Sequence, residues 1–238
     1  MDMSNHFFHF KQFTIHQDRC AMKVSTDSCI QGAWVPVEDG VKHVLDIGTG
    51  TGLLSLMLAQ RNSEIIIDAV ELDVAAANQA KENVAASSWA ERISVLQADV
   101  TNYAFSKQYD MVICNPPFFN NSLLSDDAQR NQVRHTISLT YDALFAVIQQ
   151  VLTPTGYAAI ILPAAEHQLW QSLLQRNDWC IAKQLFVYPK QGADYNRVVS
   201  ICTKGNTHTT TETLQIYSES GGYTDAFSNL LQPFYQKL

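Results

Sequence analysis

The run Val44-Leu45-Asp46-Ile47-Gly48-Thr49-Gly50-Thr51-Gly52 places an apolar stretch directly ahead of three glycines. Glycine permits a tight turn and lets backbone come within contact distance of a ligand. The spacing narrows the choice of ligand. A dinucleotide fingerprint needs glycine at position 53, which is Leu53, and no Gly-Lys-Ser/Thr follows to make a phosphate-gripping loop. What stands is D-x-G-x-G-x-G. The next apolar run ends in Val70-Glu71-Leu72-Asp73. An acidic residue at such a strand tip can accept both hydroxyls of a ribose, a role expected of Glu71. Gln97-Ala98-Asp99-Val100 follows the third run, and Asn115-Pro116-Pro117-Phe118 follows the fourth. The paired prolines stiffen that last loop, so groups on it keep a fixed geometry.

These residues need rigid elements behind them. From about residue 42 the chain alternates short apolar runs with helical patterns, which predicts a largely parallel α/β sheet. Strands are expected at His43–Ile47, Ile65–Val70, Ile93–Leu96, Met111–Cys114 and Tyr157–Leu162. Helices are expected at Leu53–Gln60, Val74–Ala86, Ser138–Leu152 and Ala164–Arg176, where apolar residues recur at three and four positions. Asp73 sits where a helix N-cap belongs. Ala182–Tyr188 and Arg197–Thr203, joined by a short turn-like link, read as an antiparallel hairpin closing the edge of the sheet. Thr207–Thr213 is a loop or an edge strand, and Tyr223–Leu238 an amphipathic helical tail. The chain reads as one domain, with a β-rich extension over 1–41 and a core over 42–238.

The D-x-G-x-G-x-G pattern resembles motif I of class I S-adenosylmethionine methyltransferases, and the resemblance extends along the chain. It implies a Rossmann-like α/β fold with a mostly parallel seven-stranded sheet, an antiparallel C-terminal hairpin, and helices on both faces. It also implies S-adenosyl-L-methionine as cofactor. That molecule carries no phosphates, so Gly48, Gly50 and Gly52 would pass beside its ribose and methionine portion, with Asp46 accepting hydrogen bonds. Leu72 would pack on the adenine ring, and Asp99 would accept from the adenine amino group. A lone Asp after a strand is otherwise most often a turn former.

Asn115-Pro116-Pro117-Phe118 resembles the [N/D/S]-P-P-[Y/F/W] motif of methyltransferases that act on planar amino nitrogens. Such an amine is a poor nucleophile because its lone pair is delocalised. If the Asn115 side-chain oxygen and the Pro116 carbonyl each accept one N–H, the free face of the nitrogen turns toward the methyl group. Those hydrogen bonds strengthen as positive charge grows, which favours the transition state. Phe118 offers a face on which a flipped or single-stranded base stacks. Asn115, Pro116 and Phe118 are therefore the expected catalytic residues, with Asn115 also touching the cofactor site.

Adenine N6 in DNA or RNA, guanine N2 in RNA and a release-factor glutamine amide all use this tetrapeptide. No target-recognition domain of a restriction enzyme fits in 238 residues. The first forty residues are Phe-rich and β-like, unlike the helical domain of the glutamine enzymes. The stretch Phe8–Phe13, then Asp18–Asp27 and Gly32-Ala33-Trp34, resembles the opening of the bacterial tRNA1(Val) (adenine-37-N6)-methyltransferase family. Arg134-His135-Thr136, Tyr188–Arg197 and Phe234-Tyr235 continue the resemblance. It implies methylation of adenosine 37 beside the anticodon of a valine tRNA, with N2-guanine or glutamine N5 methylation as the alternative. It further implies that a Met22–Asp27 loop closes over the methionine end of the cofactor, bringing Lys23, Thr26 and Asp27 to its carboxylate and amine. Arg130, Arg134 and His135 would grip anticodon phosphates. Ser25 stands where the family pattern leads one to expect glycine.

Composition sets the outer bounds. Hydrophobic residues make up 46% and charged residues 16%, the balance of a folded globular chain. Apolar runs are too short to cross a bilayer, and the N-terminus shows no signal core, so a cytoplasmic location is expected. Five scattered cysteines without C-x-x-C spacing argue against a disulfide framework or a metal site and fit a reducing compartment. A monomer is expected. The net charge of −7 does not advertise a nucleic-acid binder. The best basic segment is 176–204, with Arg176, Lys183, Lys190, Arg197 and Lys204 set against Asp178 and Asp194.

Overall fold

A computed structural model of the chain describes residues 6–37, 39–117 and 139–238. The described elements are β1 (Phe7–His9), β2 (Thr14–His16), α1 (Thr26–Trp34), β3 (His43–Ile47), α2 (Leu53–Arg61), β4 (Ile66–Glu71), α3 (Val74–Ala85) and β5 (Ile93–Gln97). They continue with β6 (Tyr109–Cys114), α4 (Tyr141–Val151), β7 (Leu152–Pro163), α5 (Ala164–Gln175), β8 (Trp179–Lys190), β9 (Arg197–Lys204), β10 (Thr210–Tyr217) and α6 (Asp225–Leu231). Strands β3 to β10 form one sheet in the order β10-β8-β9-β7-β6-β3-β4-β5, in which only β9 runs against the others.

Strand residues alternate between two cores, as a period of two demands. Val44, Ile67, Met111, Ile113 and Ala159 face α1, α2 and α6, whereas Leu45, Ile47, Val70, Val112 and Ala158 face α4 and α5. The two-sided burial explains why these strands read as nearly continuous apolar runs. Asp73 caps α3 as expected, its Oδ1 accepting from the Ala76 N–H at 2.8 Å.

Five expectations need correction in whole or in part. The sheet has eight strands rather than seven, because Thr210–Tyr217 pairs in parallel with β8 and forms the true edge. The antiparallel hairpin is present, with Val187 opposite Arg197, but it lies inside that edge. The segment 1–41 is less β-rich than its Phe pattern suggests, since β1 and β2 have three residues each and residues 26–34 are helical. Of the expected 22–27 loop, residues 22–25 lie outside any helix or strand, whereas Thr26 and Asp27 open a helix with Ser25 as its N-cap. The tail is helical only over Asp225–Leu231; beyond it Phe10 bridges Tyr235 and the Lys11 N–H donates to the Phe234 carbonyl at 2.7 Å.

Helix α1 lies close against α2. A Cβ on Gly32 would sit 2.8 Å from the Met57 sulfur, so glycine sets the approach of the two helices. Arg61, on α2, donates from Nη1 to the carbonyls of Gly32 and Val35 at 2.8 and 2.7 Å. These are orphan acceptors at the C-terminal end of α1, where a cation is also favoured by the helix dipole. The first turn of α1 lies at the carboxyl end of β6, where Ser28 Oγ accepts from Asn115 Nδ2.

Candidate active site

The chain visits β3, β4 and β5 in one direction, then returns to place β6 on the other side of β3. In an open parallel sheet that reversal opens a crevice at the carboxyl ends of the strands. The Gly48–Gly52 turn, the Glu71-Leu72 tip, Asp99 and Asn115 all follow strands that end there.

The glycine turn folds back on β4, with the Gly48 and Thr49 N–H groups both donating to the Val70 carbonyl at 2.8 and 3.1 Å. Gly48 and Gly50 adopt φ of +68° and +57°, where an L side chain is strained, and a Cβ on either would meet open space. That arrangement leaves bare backbone for a flat ligand to pass. Behind it, Asp46 is fully buried, and its Oδ2 accepts from Thr49 Oγ1 at 2.6 Å and Ser55 Oγ at 2.7 Å. Its Oδ1 is buried without a hydrogen-bond partner among the described residues. Burial pushes the Asp46 carboxyl up to about 6, against the pull of the Thr49 and Ser55 hydrogen bonds.

Glu71 Oε2 accepts from the Gly50 N–H at 2.9 Å, and Oε1 from the Asp73 N–H at 3.0 Å. Both oxygens are thus fixed by backbone, each with a lone pair left for a further donor. Leu72 is 46% exposed at the strand tip, its carbonyl held by Gln97 Nε2 at 3.0 Å. An apolar side chain displayed on a braced backbone suits stacking against a planar ring. Asp99 is committed to its own turn: Oδ1 accepts from Thr101 N–H and Oγ1 at 2.9 and 2.7 Å, and Oδ2 from Asn102 Nδ2 at 2.7 Å. The Thr101 bonds hold its carboxyl below the usual range. Asp99 is therefore a turn former here, with one oxygen still able to accept.

Asn115 leaves β6 and is 8% exposed. Its Nδ2 donates to Ser28 Oγ at 2.8 Å, and its Oδ1 is buried with no partner among the described residues. An unsatisfied buried amide oxygen costs about 1–3 kcal/mol, so such an atom points to a ligand that donates to it. Pro116 is buried and Pro117 exposed. Phe118, Arg130, Arg134 and His135 lie outside the described residues.

At the start of α1, Lys23 and Thr26 are exposed, while Asp27 pairs with Arg197 Nε at 2.6 Å. The negative charge of Asp27 is thus answered by β9 within the chain. The basic segment does not gather into one patch. Lys190 and Arg197 end at the crevice edge, Arg176 and Lys204 lie at the opposite edge, and Lys183 pairs with Glu212. A recess of about 600 Å³ at that opposite edge, lined in part by Gln175, Asp178, Trp179 and Thr209, contains none of the candidate residues.

Sequence reasoning missed the polar residues that brace the crevice. Asn83 of α3 donates from Nδ2 to the His16 and Thr51 carbonyls, both at 2.9 Å, tying the N-terminal hairpin to the glycine turn. Gln79, one helical turn earlier, accepts from the Arg19 N–H and donates to Asp18. Their spacing of four on a helix was the available signal, but polar residues at that interval ordinarily mark a solvated face.

Known proteins share this architecture. Residues 35–174 match the family model described as the methyltransferase small domain. A Tolumonas auensis protein called tRNA1(Val) (adenine(37)-N6)-methyltransferase is 42% identical over 99% of both chains. An Agrobacterium tumefaciens structure described as a predicted O-methyltransferase superposes with a TM-score of 0.68 at 18% identity, covering 87% of this chain and 96% of that one. The glycopeptide N-methyltransferase MtfA, solved with S-adenosyl-L-methionine, gives a TM-score of 0.54 at 14% identity, covering 78% and 96% of the two chains. At these identities the two structures bear on the fold alone.

Proposed function

This chain belongs to the tRNA1(Val) (adenine(37)-N6)-methyltransferase family, and on that premise we propose that it methylates N6 of adenosine 37 in the anticodon loop of tRNA1(Val). S-adenosyl-L-methionine would supply the methyl group as a sulfonium, a leaving group that needs no prior activation. The observation that carries the reading is the buried Oδ1 of Asn115 at the crevice, which has no partner among the described residues.

Residues for the cofactor fit the crevice. Glu71 would take the ribose hydroxyls on its remaining lone pairs, and Leu72 would cover the adenine. Gly48, Gly50 and Gly52 would leave room for backbone contact, with Asp46 as a buried acceptor behind them. Asp99 would accept from the adenine amine on its second oxygen. Lys23 is free to meet the cofactor carboxylate from above, alongside Thr26; Asp27 would reach the ammonium only by sharing its charge with Arg197.

For the acceptor base, Asn115 Oδ1 and the Pro116 carbonyl would each accept one N–H of the adenine amine. With both protons held, the nitrogen lone pair is drawn out of conjugation toward the methyl. Phe118 would stack on the base, and Arg130, Arg134 and His135 would meet the phosphates. In this reading the chain works as a single domain and a cytoplasmic monomer, without a metal ion and with a valine tRNA as partner. Among the described residues no helix is long and apolar enough to cross a membrane.

The test is transfer of labelled methyl groups into bulk tRNA from cells lacking this modification, followed by nucleoside analysis of purified isoacceptors. The expected product is N6-methyladenosine in valine tRNA. Label in N2-methylguanosine of ribosomal RNA, or in a release-factor glutamine, would overturn the substrate while keeping the amine chemistry.

A further inference from the structure

We infer that Ser28, backed by Ser25, is a positioning residue for Asn115, so that the first turn of α1 sets the methyl-accepting geometry; this rests on the reading of Asn115 as the amine acceptor. Ser25 caps α1, its Oγ accepting from the Ser28 N–H at 3.2 Å. The two hydroxyls lie 3.0 Å apart, and Asn115 Nδ2 donates to Ser28 Oγ at 2.8 Å. Each hydroxyl carries one proton. When Ser28 accepts from Asn115, its own proton goes to Ser25, and the chain runs in one direction from amide to cap. In that direction Asn115 turns its oxygen to the crevice. The reversed amide would offer an NH2 group, which cannot accept from an amine.

A second contact from the same face of α1 supports the backbone beneath. Gln31, fully buried and one turn beyond Ser28, donates from Nε2 to the Cys114 carbonyl at 2.9 Å and the Ala159 carbonyl at 3.0 Å. It pins the residue before Asn115 to the neighbouring strand β7. Helix α1 therefore fixes both the side chain of Asn115 and the backbone that presents it. The matched family region begins at residue 35, after this helix, so the support comes from outside that shared core. Helix α1 starts at Thr26, three residues after Lys23, so a ligand contact at Lys23 would lie close to the turn that holds Asn115.

The test compares wild type, Ser28→Ala, Asn115→Ala and the double variant in single-turnover methyl transfer to tRNA, with cofactor affinity and melting temperature measured alongside. Ser28→Ala is expected to slow transfer about tenfold, the effect of about 1.4 kcal/mol in the barrier, with cofactor affinity unchanged. In the Asn115→Ala background the same change should cost nothing further, which a merely structural serine would not show. Ser25→Gly, which preserves most of the cap, should slow transfer about threefold by loosening the second link. A rate for Ser28→Ala within twofold of wild type, or an equal loss in both backgrounds, would overturn the inference. The Asn115 side-chain NH2 resonances give a readout independent of substrate. They should show one protected proton in wild type and none in Ser28→Ala; identical spectra would also overturn it. A wild type that leaves tRNA unlabelled would refute the substrate reading instead.

Discussion

Replacing Asn115 by alanine should separate activity from stability. The substitution removes one amide hydrogen bond, Nδ2 to Ser28 Oγ at 2.8 Å, which contributes about 1 kcal/mol net. It also removes the buried Oδ1, unpartnered among the described residues, whose desolvation costs about 1–3 kcal/mol. The two changes oppose each other, and the small side chain sits at a crevice rather than in a packed core. Folding stability should therefore stay within about 1 kcal/mol of wild type or rise. Catalysis should not be spared. Loss of a preorganised group that stabilises developing charge costs about 10²–10³ in rate. The assay is single-turnover methyl transfer beside chemical denaturation, with cofactor affinity measured by calorimetry. A loss of activity below about tenfold, or a fall in stability above about 2 kcal/mol, would refute the assignment of Oδ1 as an acceptor held open for substrate.

Three further outcomes follow from the same crevice. Glu71→Ala removes the acceptor for the Gly50 and Asp73 N–H groups and should weaken cofactor binding at least about tenfold, the scale of one lost charge-assisted contact; unchanged affinity in a cofactor titration would contradict it. Gly50→Ala places a side chain at φ +57° in open space, so it should cost about 1 kcal/mol of stability yet lose far more in cofactor affinity, as calorimetry and melting would report together. Asp46 gives a pH signature. Its carboxyl is raised from 3.8 to about 6 in the fold, so its stabilising proton is fully present below pH 4 and lost as pH rises through 6. At about 1.4 kcal/mol per pKa unit, the stability of Asp46→Asn relative to wild type should grow by roughly 2 kcal/mol between pH 4 and pH 7; parallel pH profiles would rule this out.

Much of the core was legible because both faces of its strands are buried. The runs at 43–47 and 93–96 hold enough apolar residues to fix their positions within a residue or so. Strand β10 was legible only as one of two alternatives, a loop or an edge strand over Thr207–Thr213, and its extent to Tyr217 was not. Thr210, Thr211, Glu212 and Thr213 are all exposed, and only Leu214 and Ile216 enter the core, so its alternation is too short to see. Helix α1 was hidden by the aromatic alternation just before it, although Ser25 ahead of Thr-Asp-Ser offered a cap signal. The glycine turn, Glu71 and Asn115 follow strand ends, and sequence order alone brings them to one edge once the sheet is parallel. What order could not convey was long-range pairing: Asp27 with Arg197, Asn83 with Thr51, and Asn115 with Ser28, each joining residues 32 or more positions apart.

The crevice is proposed to receive an adenine N6 amine at position 37. The most direct measurement is methyl transfer to two tRNA1(Val) transcripts that differ only in carrying adenosine or guanosine at that position. The expected result is N6-methyladenosine from the first and no label in the second. Equal labelling of both, or N2-methylguanosine from the second, would contradict it.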